Sequence, residues 1–265
     1  MKWSVPVRAG IVQPLTEPGN VESNLDTALE LMEDCSDSTD PDLIILPEAF
    51  TTGFPFEKLD DLANESQDAL DQIRRASRSG GYHSFFTMII KDGEGKLRNR
   101  LYHIDDNGEL RSTYDKTQLF SRTGEEKYIT PGNEMKIFNI EKLRIGPLIC
   151  YELRYPELSR SLTVSGVHIL IYPSLWPDFR IFQWETLLMA RAIENQLFVI
   201  GTNSVGTHSG VKMGGGSRII SPFGNILTDC ARDPGWKTAT LDPEELWSLR
   251  KKIPVLEDRK EPIQL

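Results

Sequence analysis

At 265 residues, with 39% hydrophobic and 26% charged side chains, the chain has the make-up of an ordinary globular protein, and disordered or collagen-like architectures are excluded. Its formal net charge of -9 disfavours nucleic acid as a partner, because an acidic surface repels phosphate, so a small molecule is the expected ligand. No apolar run approaches the ~20 residues of a bilayer span and the start lacks a signal-peptide stretch, so a cytoplasmic location away from membranes is expected.

Short apolar runs rich in β-branched and aromatic residues alternate with segments of helical period, which is the rhythm of layered α/β architecture. Val7 to Gln13 reads as a strand. Asn20 to Cys35 reads as a helix with Leu25, Ala28, Leu29 and Met32 on one face, and Leu43 to Leu46 as a buried strand stopped by Pro47. Gln67 to Arg78 is predicted helical and Phe85 to Lys91 extended, with the glycines of Lys91 to Lys96 turning the chain into a strand over Asn99 to Ile104. Leu110 to Asp115 gives another strand, and Met135 to Ile140 is expected to pair with Leu143 to Ile149.

In the second half, Pro156 to Ser165 reads as a helix with proline in its first turn, Ile169 to Tyr172 as a strand and Ile181 to Asn195 as a helix. Phe198 to Asn203, Arg218 to Ser221, Ile226 to Cys230 and Thr238 to Leu241 are strand candidates, followed by a helix over Pro243 to Lys251. Nothing resembling a linker divides the chain, so residues 1–265 are expected to form one domain, with an extended tail over 254–265. Met213 to Gly216 is too short for a linker and is expected to let backbone pass close to a neighbour.

Three residues carry the chemistry. Cys150 follows an apolar strand and shortly precedes the proline-led helix, and a strand-to-helix elbow presents a side chain at the carboxyl end of a sheet, with a helix start that favours thiolate. Taken alone, Cys150 reads first as a small core residue, because free cysteine is so often buried. Glu48 ends another buried strand among apolar neighbours, an environment that raises a carboxyl pKa toward the range useful for proton transfer. Lys116 lies just past a strand, between apolar residues. Cys35 and Cys230 read as packing residues. The four histidines show neither a protease motif nor metal-ligand spacing, and His103 and His168 read as core, so no metal is expected.

Leu46-Pro47-Glu48, Asp115-Lys116-Thr117-Gln118-Leu119-Phe120 and Leu148 to Glu157, in this order, resemble the three signature segments of the nitrilase, or carbon-nitrogen hydrolase, superfamily. Ala9 to Pro14 and Ser217 to Gly224 extend the resemblance over nearly the whole chain. It implies a Glu48, Lys116 and Cys150 triad on a four-layer αββα sandwich, and homodimers or larger homo-oligomers packed through helices beside the site. It also implies an assisting glutamate, Glu125, six positions before Pro131, in preference to its neighbour Glu126.

Ser174 to Pro177, Trp184 and Ala190 to Gln196 are similar to the omega-amidase branch, which implies 2-oxoglutaramate or succinamate as substrate. The sequence departs from the family pattern at Leu175, where asparagine is common, and at Gln118, where histidine is usual. An N-carbamoyl amino acid or an aliphatic amide is the alternative substrate, and a catalytically silent metabolite-binding scaffold the alternative class. The Tyr151 backbone N–H is the expected oxyanion donor, Trp176 a pocket wall, and Arg154 either the partner of a substrate carboxylate or an ion pair with Glu152 or Glu157. A nucleophile, an oxyanion stabiliser and a proton carrier suffice for amide hydrolysis, so no cofactor is expected.

Overall fold

The computed structural model describes residues 2–260. The first half runs β1 (Val7–Gln13), α1 (Val21–Thr39), β2 (Leu43–Ile45), α2 (Leu59–Glu65), α3 (Gln67–Gly80), β3 (His83–Lys91), β4 (Leu97–Ile104) and β5 (Leu110–Asp115). The second half runs β6 (Phe138–Ile140), β7 (Leu143–Pro147), α4 (Pro156–Val164), β8 (Ile169–Ser174), α5 (Ile181–Asn195) and β9 (Phe198–Asn203). A hairpin of β10 (Val205–His208) and β11 (Val211–Gly214) follows, then β12 (Arg218–Ile220), β13 (Ile226–Asp229), β14 (Gly235–Leu241) and α6 (Pro243–Lys252).

Two six-stranded sheets result, ordered β14-β1-β2-β3-β4-β5 and β13-β12-β9-β8-β7-β6. Each has a parallel centre, β1-β2-β3 in one and β7-β8-β9 in the other, flanked by antiparallel strands. Residue parity explains how they stack. Ile11, Ile45, Phe85 and Leu101 point toward the second sheet and join Ile145, Ile169 and Ile171 in one core. Their neighbours Val12, Ile44, Phe86 and Tyr102 point the other way and pack with Leu25, Ala28, Met32 and Ile73 of α1 and α3. Leu162 of α4 and Trp184, Leu188 and Ala192 of α5 cover the outer face of the second sheet. The layers are therefore αββα, as the resemblance implies.

This stacking brings together the carboxyl ends of β2, in one sheet, and of β7 and β8, in the other, where ligands gather in α/β proteins. The backbone makes the junction directly, since Glu48 N–H donates to the Ser174 carbonyl at 3.3 Å. Among the described residues no helix is long and apolar enough to cross a membrane.

The structure differs from the sequence expectation in three places. α2 was not expected, because its seven residues are mostly polar and only Leu59, Leu62 and Ala63 are buried. The β10–β11 hairpin was not expected either, since Val205 to Gly214 shows no clean alternation. The segment after Pro254, expected to be extended, folds back in a turn where the N–H groups of Glu257 and Asp258 reach the Pro254 carbonyl, and residues 261–265 lie outside the described residues. The Gly214 to Gly216 run behaves as expected: a Cβ at Gly214 would stand 2.7 Å from Ile181 Cδ1, and one at Gly215 2.9 Å from the Ala231 carbonyl oxygen.

Candidate active site

Glu48, Lys116 and Cys150 meet at the junction of the sheets. The Lys116 ammonium lies 2.8 Å from Glu48 Oε1 and 3.0 Å from both oxygens of Glu125, and all three groups are buried. Glu48 is further fixed by Asn99 Nδ2, which donates to Oε1 at 2.8 Å, and by the Leu175 N–H, which donates to Oε2 at 3.1 Å. Leu175 links Cys150 to the same carboxyl: its N–H is the donor to Glu48 Oε2 and its carbonyl oxygen lies 4.0 Å from the Cys150 sulfur, which lines one cavity with Glu48 and Lys116.

Local backbone geometry aims these groups. Cys150 adopts φ 47° and Ala49, immediately after Glu48, φ 45°. Left-handed backbone at a residue with a Cβ costs roughly 1–2 kcal/mol, and here it turns the chain sharply at the end of a buried segment on each side of the site. Glu125 stands in a short 3-10 turn, with its Oε2 accepting the Phe120 N–H at 2.6 Å.

The electrostatics follow from burial. Desolvation raises the Glu48 pKa, Lys116 opposes the rise, and the charge of Glu125 adds to it. Burial works against the Lys116 cation, but Glu125 and Glu48 outweigh it and hold the ammonium well above its ordinary pKa. Cys150 is pushed well above its ordinary value by burial first and by Glu48 second. The helix start expected to favour thiolate is displaced, because Cys150 opens a five-residue 3-10 turn and α4 begins only at Pro156. The thiol form is thus favoured at rest, next to a carboxyl able to take its proton.

A cavity of about 320 Å³ opens onto these groups. Phe54, Phe56, Phe120 and Phe179 form its aromatic wall, and Leu175, Pro177, Val211 and Met213 its aliphatic one. A larger depression, about 1070 Å³, lies by Trp3 and Trp247 and includes none of these residues.

The model of the carbon-nitrogen hydrolase family matches residues 8–251. The chain belongs to the carbon-nitrogen hydrolase family. A 2-oxoglutaramate amidase of Bacillus subtilis (strain 168) is 32% identical to it over 259 residues, which cover 97% of this chain and 98% of the relative. The omega-amidase YafV of Escherichia coli (strain K12) is 34% identical over 225 residues, covering 84% and 86% of the two chains. Among solved structures, XC1258 of Xanthomonas campestris, a superfamily member with an arsenic adduct in its active site, superposes with a TM-score of 0.90 at 28% identity, covering 98% of this chain and 99% of that one.

In this carbon-nitrogen hydrolase two of the expected cavity residues stand elsewhere. Trp176 is buried behind the wall, not in it: its ring packs 5.5 Å from Trp184, its Nε1 donates to the Arg180 carbonyl at 3.0 Å, and its backbone is clamped by Asn203. Proline after a loop tryptophan suggested a wall, but the neighbours Leu175 and Pro177 line the cavity instead. Arg154 forms no ion pair with Glu152 or Glu157; it donates to Gln183 Oε1 at 2.7 Å and lies 4.6 Å over the Trp176 ring. Tyr151 presents its ring to Phe120 at 4.8 Å and to Tyr155 at 5.4 Å.

The sequence also left residues of this hydrolase's site unassigned. The cations Arg122 and Arg180 line the cavity, as does His208 of the unexpected hairpin, whose buried ring leaves no room for a Cβ at Gly53. Asn99 and Glu152 hold the reacting groups from buried positions. Only Arg180, six residues past the end of β8, carried a sequence signal, its nearness to the Trp176-Pro177 motif.

Proposed function

We propose that this enzyme hydrolyses small linear amides through a Glu48, Lys116 and Cys150 triad and a thioester intermediate, with the terminal amide of 2-oxoglutaramate or succinamate as preferred substrate. One observation carries the reading: the Glu48 carboxyl receives the Lys116 ammonium at 2.8 Å and the Leu175 N–H at 3.1 Å, and the carbonyl of that same Leu175 lies 4.0 Å from the Cys150 sulfur, so that all three groups face one cavity.

An amide is a poor electrophile and needs a strong nucleophile, charge stabilisation and a proton for its leaving group. Glu48 takes the thiol proton as sulfur attacks the carbonyl carbon, and returns it to the nitrogen as the C–N bond breaks and ammonia departs. It then removes a proton from water as the water oxygen attacks the thioester carbon, and returns that proton to sulfur as the C–S bond breaks, releasing the acid and restoring the thiol. The raised pKa of Glu48 suits this two-way traffic. Lys116, held as a cation by Glu125, and the backbone N–H of Tyr151 face the developing oxyanion, a contact worth about 2.7–4 kcal/mol per donor.

The substrate assignment is supported by the relative named 2-oxoglutaramate amidase, which matches over almost its whole length, and by the cations of the cavity. N-carbamoyl amino acids or aliphatic amides would use the same triad. Ammonia release from a panel of amides, ureides and nitriles separates these substrates, and 2-oxoglutaramate turnover surviving Cys150→Ala would refute the triad. A silent scaffold is excluded by a covalent acyl adduct at Cys150 in a mass spectrum.

The acidic net charge supports a small-molecule ligand over nucleic acid. A homodimer packed through α4 and α5 accords with the exposure of Val164, Phe182 and Ile193 on these helices, and sedimentation of Phe182→Glu beside the unaltered protein tests it.

A further inference from the structure

Arg180 follows a loop whose backbone is held at several points. Trp176 N–H donates to Asn203 Oδ1 at 2.8 Å, Pro177 bridges to Met213 of β11, and the Arg180 carbonyl accepts from the Trp176 indole at 3.0 Å. The Arg180 guanidinium is therefore presented to the cavity from a braced backbone, between the faces of Phe120, 5.8 Å away, and Phe179, 5.1 Å away. Aromatic faces take a cation at modest gain and leave its hydrogen-bond donors unused.

Among the described residues no carboxylate pairs with that charge. The carboxylates lining the cavity, Glu48 and Glu125, are engaged by Lys116, and Glu185 of α5 pairs with Arg218 and Arg232. Arg154 stands close enough to Arg180 for the two charges to repel, and Arg154 is spoken for by Gln183 and the Trp176 ring. A half-buried guanidinium beside a like charge, with a planar fork of free donors, is matched by a carboxylate, which accepts bidentately and relieves the repulsion.

We propose that Arg180 holds the carboxylate at the far end of the substrate, so that the site selects ω-amides of short dicarboxylic acids over uncharged amides. This rests on the amidase reading above and moves the anion-binding role expected of Arg154 to its neighbour. Arg154 contributes through its field, since it stands outside the cavity lining with its Nη2 on Gln183.

The test compares succinamate with butyramide, which has a methyl group where succinamate has its carboxylate. Arg180→Met keeps an apolar side chain against Phe120 and Phe179. It is expected to lower kcat/KM for succinamate on the order of 100-fold, mostly through KM, and to leave butyramide within about 3-fold. Arg154→Met is expected to cost succinamate about 10-fold or less. Equal losses on both amides, or none on either, would overturn the assignment.

Calorimetric titration of succinamate into Cys150→Ala, with and without Arg180→Met, reads the subsite independently of turnover. Weakened binding in the double variant supports the proposal even if the unaltered protein releases no ammonia, in which case only the amidase reading fails. Undiminished binding in the double variant overturns the proposal whatever the turnover.

Discussion

Glu152 binds Thr117 twice, accepting its backbone N–H at 2.8 Å and its hydroxyl at 2.7 Å, and so ties the segment that carries Lys116 to the turn that carries Cys150. The same Oε1 accepts from Gln118 N–H and Tyr114 Oη, while Oε2 accepts the Ile149 N–H at 2.7 Å. A fully buried carboxylate is thus compensated by hydrogen bonds from both sides of the nucleophile and the cation.

Glu152→Gln breaks that brace without changing its shape. With the amide oxygen turned toward Thr117, its NH2 group faces the Ile149 N–H; turned the other way, it faces the N–H groups of Thr117 and Gln118. One buried donor left opposite another costs about 1–3 kcal/mol, so urea unfolding should show a loss of that size. Because the displaced groups are Lys116 and Cys150 themselves, kcat should fall roughly 10-fold or more with KM little changed. A folded variant with unaltered kcat would show that the brace has no part in setting the triad.

Gly132 lies where a side chain would push on the same segment. Its N–H donates to the Lys116 carbonyl at 2.8 Å, and a Cβ built on it would stand 2.3 Å from the Asp115 carbonyl oxygen. Backbone has nowhere to yield without moving Lys116, so Gly132→Ala is expected to lower stability by about 1–3 kcal/mol and activity with it. Thermal unfolding and kcat/KM check this together; an alanine tolerated in both would mean that the segment shifts freely.

The three groups that meet at the junction were legible through the resemblance of their segments to the family's signatures. Glu48 and Cys150 also follow apolar runs that read as buried strands, whereas the strand before Lys116 is mostly polar, and Glu125 stands six positions before Pro131, as the resemblance implies. Strand ends fix where a backbone arrives. They do not fix which way a long side chain leans afterwards, and that is why the sequence points Trp176 and Arg154 at the substrate and does not single out Arg180. Glu152 was read as a partner for Arg154, two residues away, whereas its partners lie 34 to 38 residues back in the chain or at Ile149. His208 was invisible for a related reason: the hairpin that carries it has too few alternating apolar residues to announce a strand.

Acid should unfold this protein through its histidines before its carboxylates. Burial depresses His103 to about 3 and His168 and His208 to about 4, against 6.5 for a free imidazole. The unfolded chain binds these protons near pH 6.5 while the fold refuses them, so the contribution is complete above that pH and is lost as the pH falls toward the folded values. Each ring costs roughly 2 kcal/mol between pH 6.5 and 5, at 1.36 kcal/mol per unit. His103 packs against both Phe85 and Phe138, and its Nε2 lies 3.0 Å from His83 Nδ1, so His103→Phe keeps the aromatic packing and gives up that hydrogen bond at both pH values. Urea unfolding of this variant at the two pH values should show roughly 2 kcal/mol less acid loss than the unaltered protein; an equal loss would place the titration elsewhere.

The rate of hydrolysis should carry the signature of Glu48. Burial raises its carboxyl above the ordinary 4.5, Lys116 pulls it back, and Glu125 pushes it further up. If ionised Glu48 takes the thiol proton, kcat/KM on butyramide, which does not itself titrate in this range, should fall on the acid side with a midpoint above 4.5. Glu125→Gln removes a negative charge that disfavours ionisation of Glu48, so the midpoint should move to lower pH. The plateau should fall as well, because Lys116 loses the carboxylate that holds it at 3.0 Å on both oxygens. A midpoint that stays in place or moves upward in Glu125→Gln would mean that the group governing the acid limb is not a carboxyl facing Glu125, and Glu48 would lose its assignment as the proton carrier.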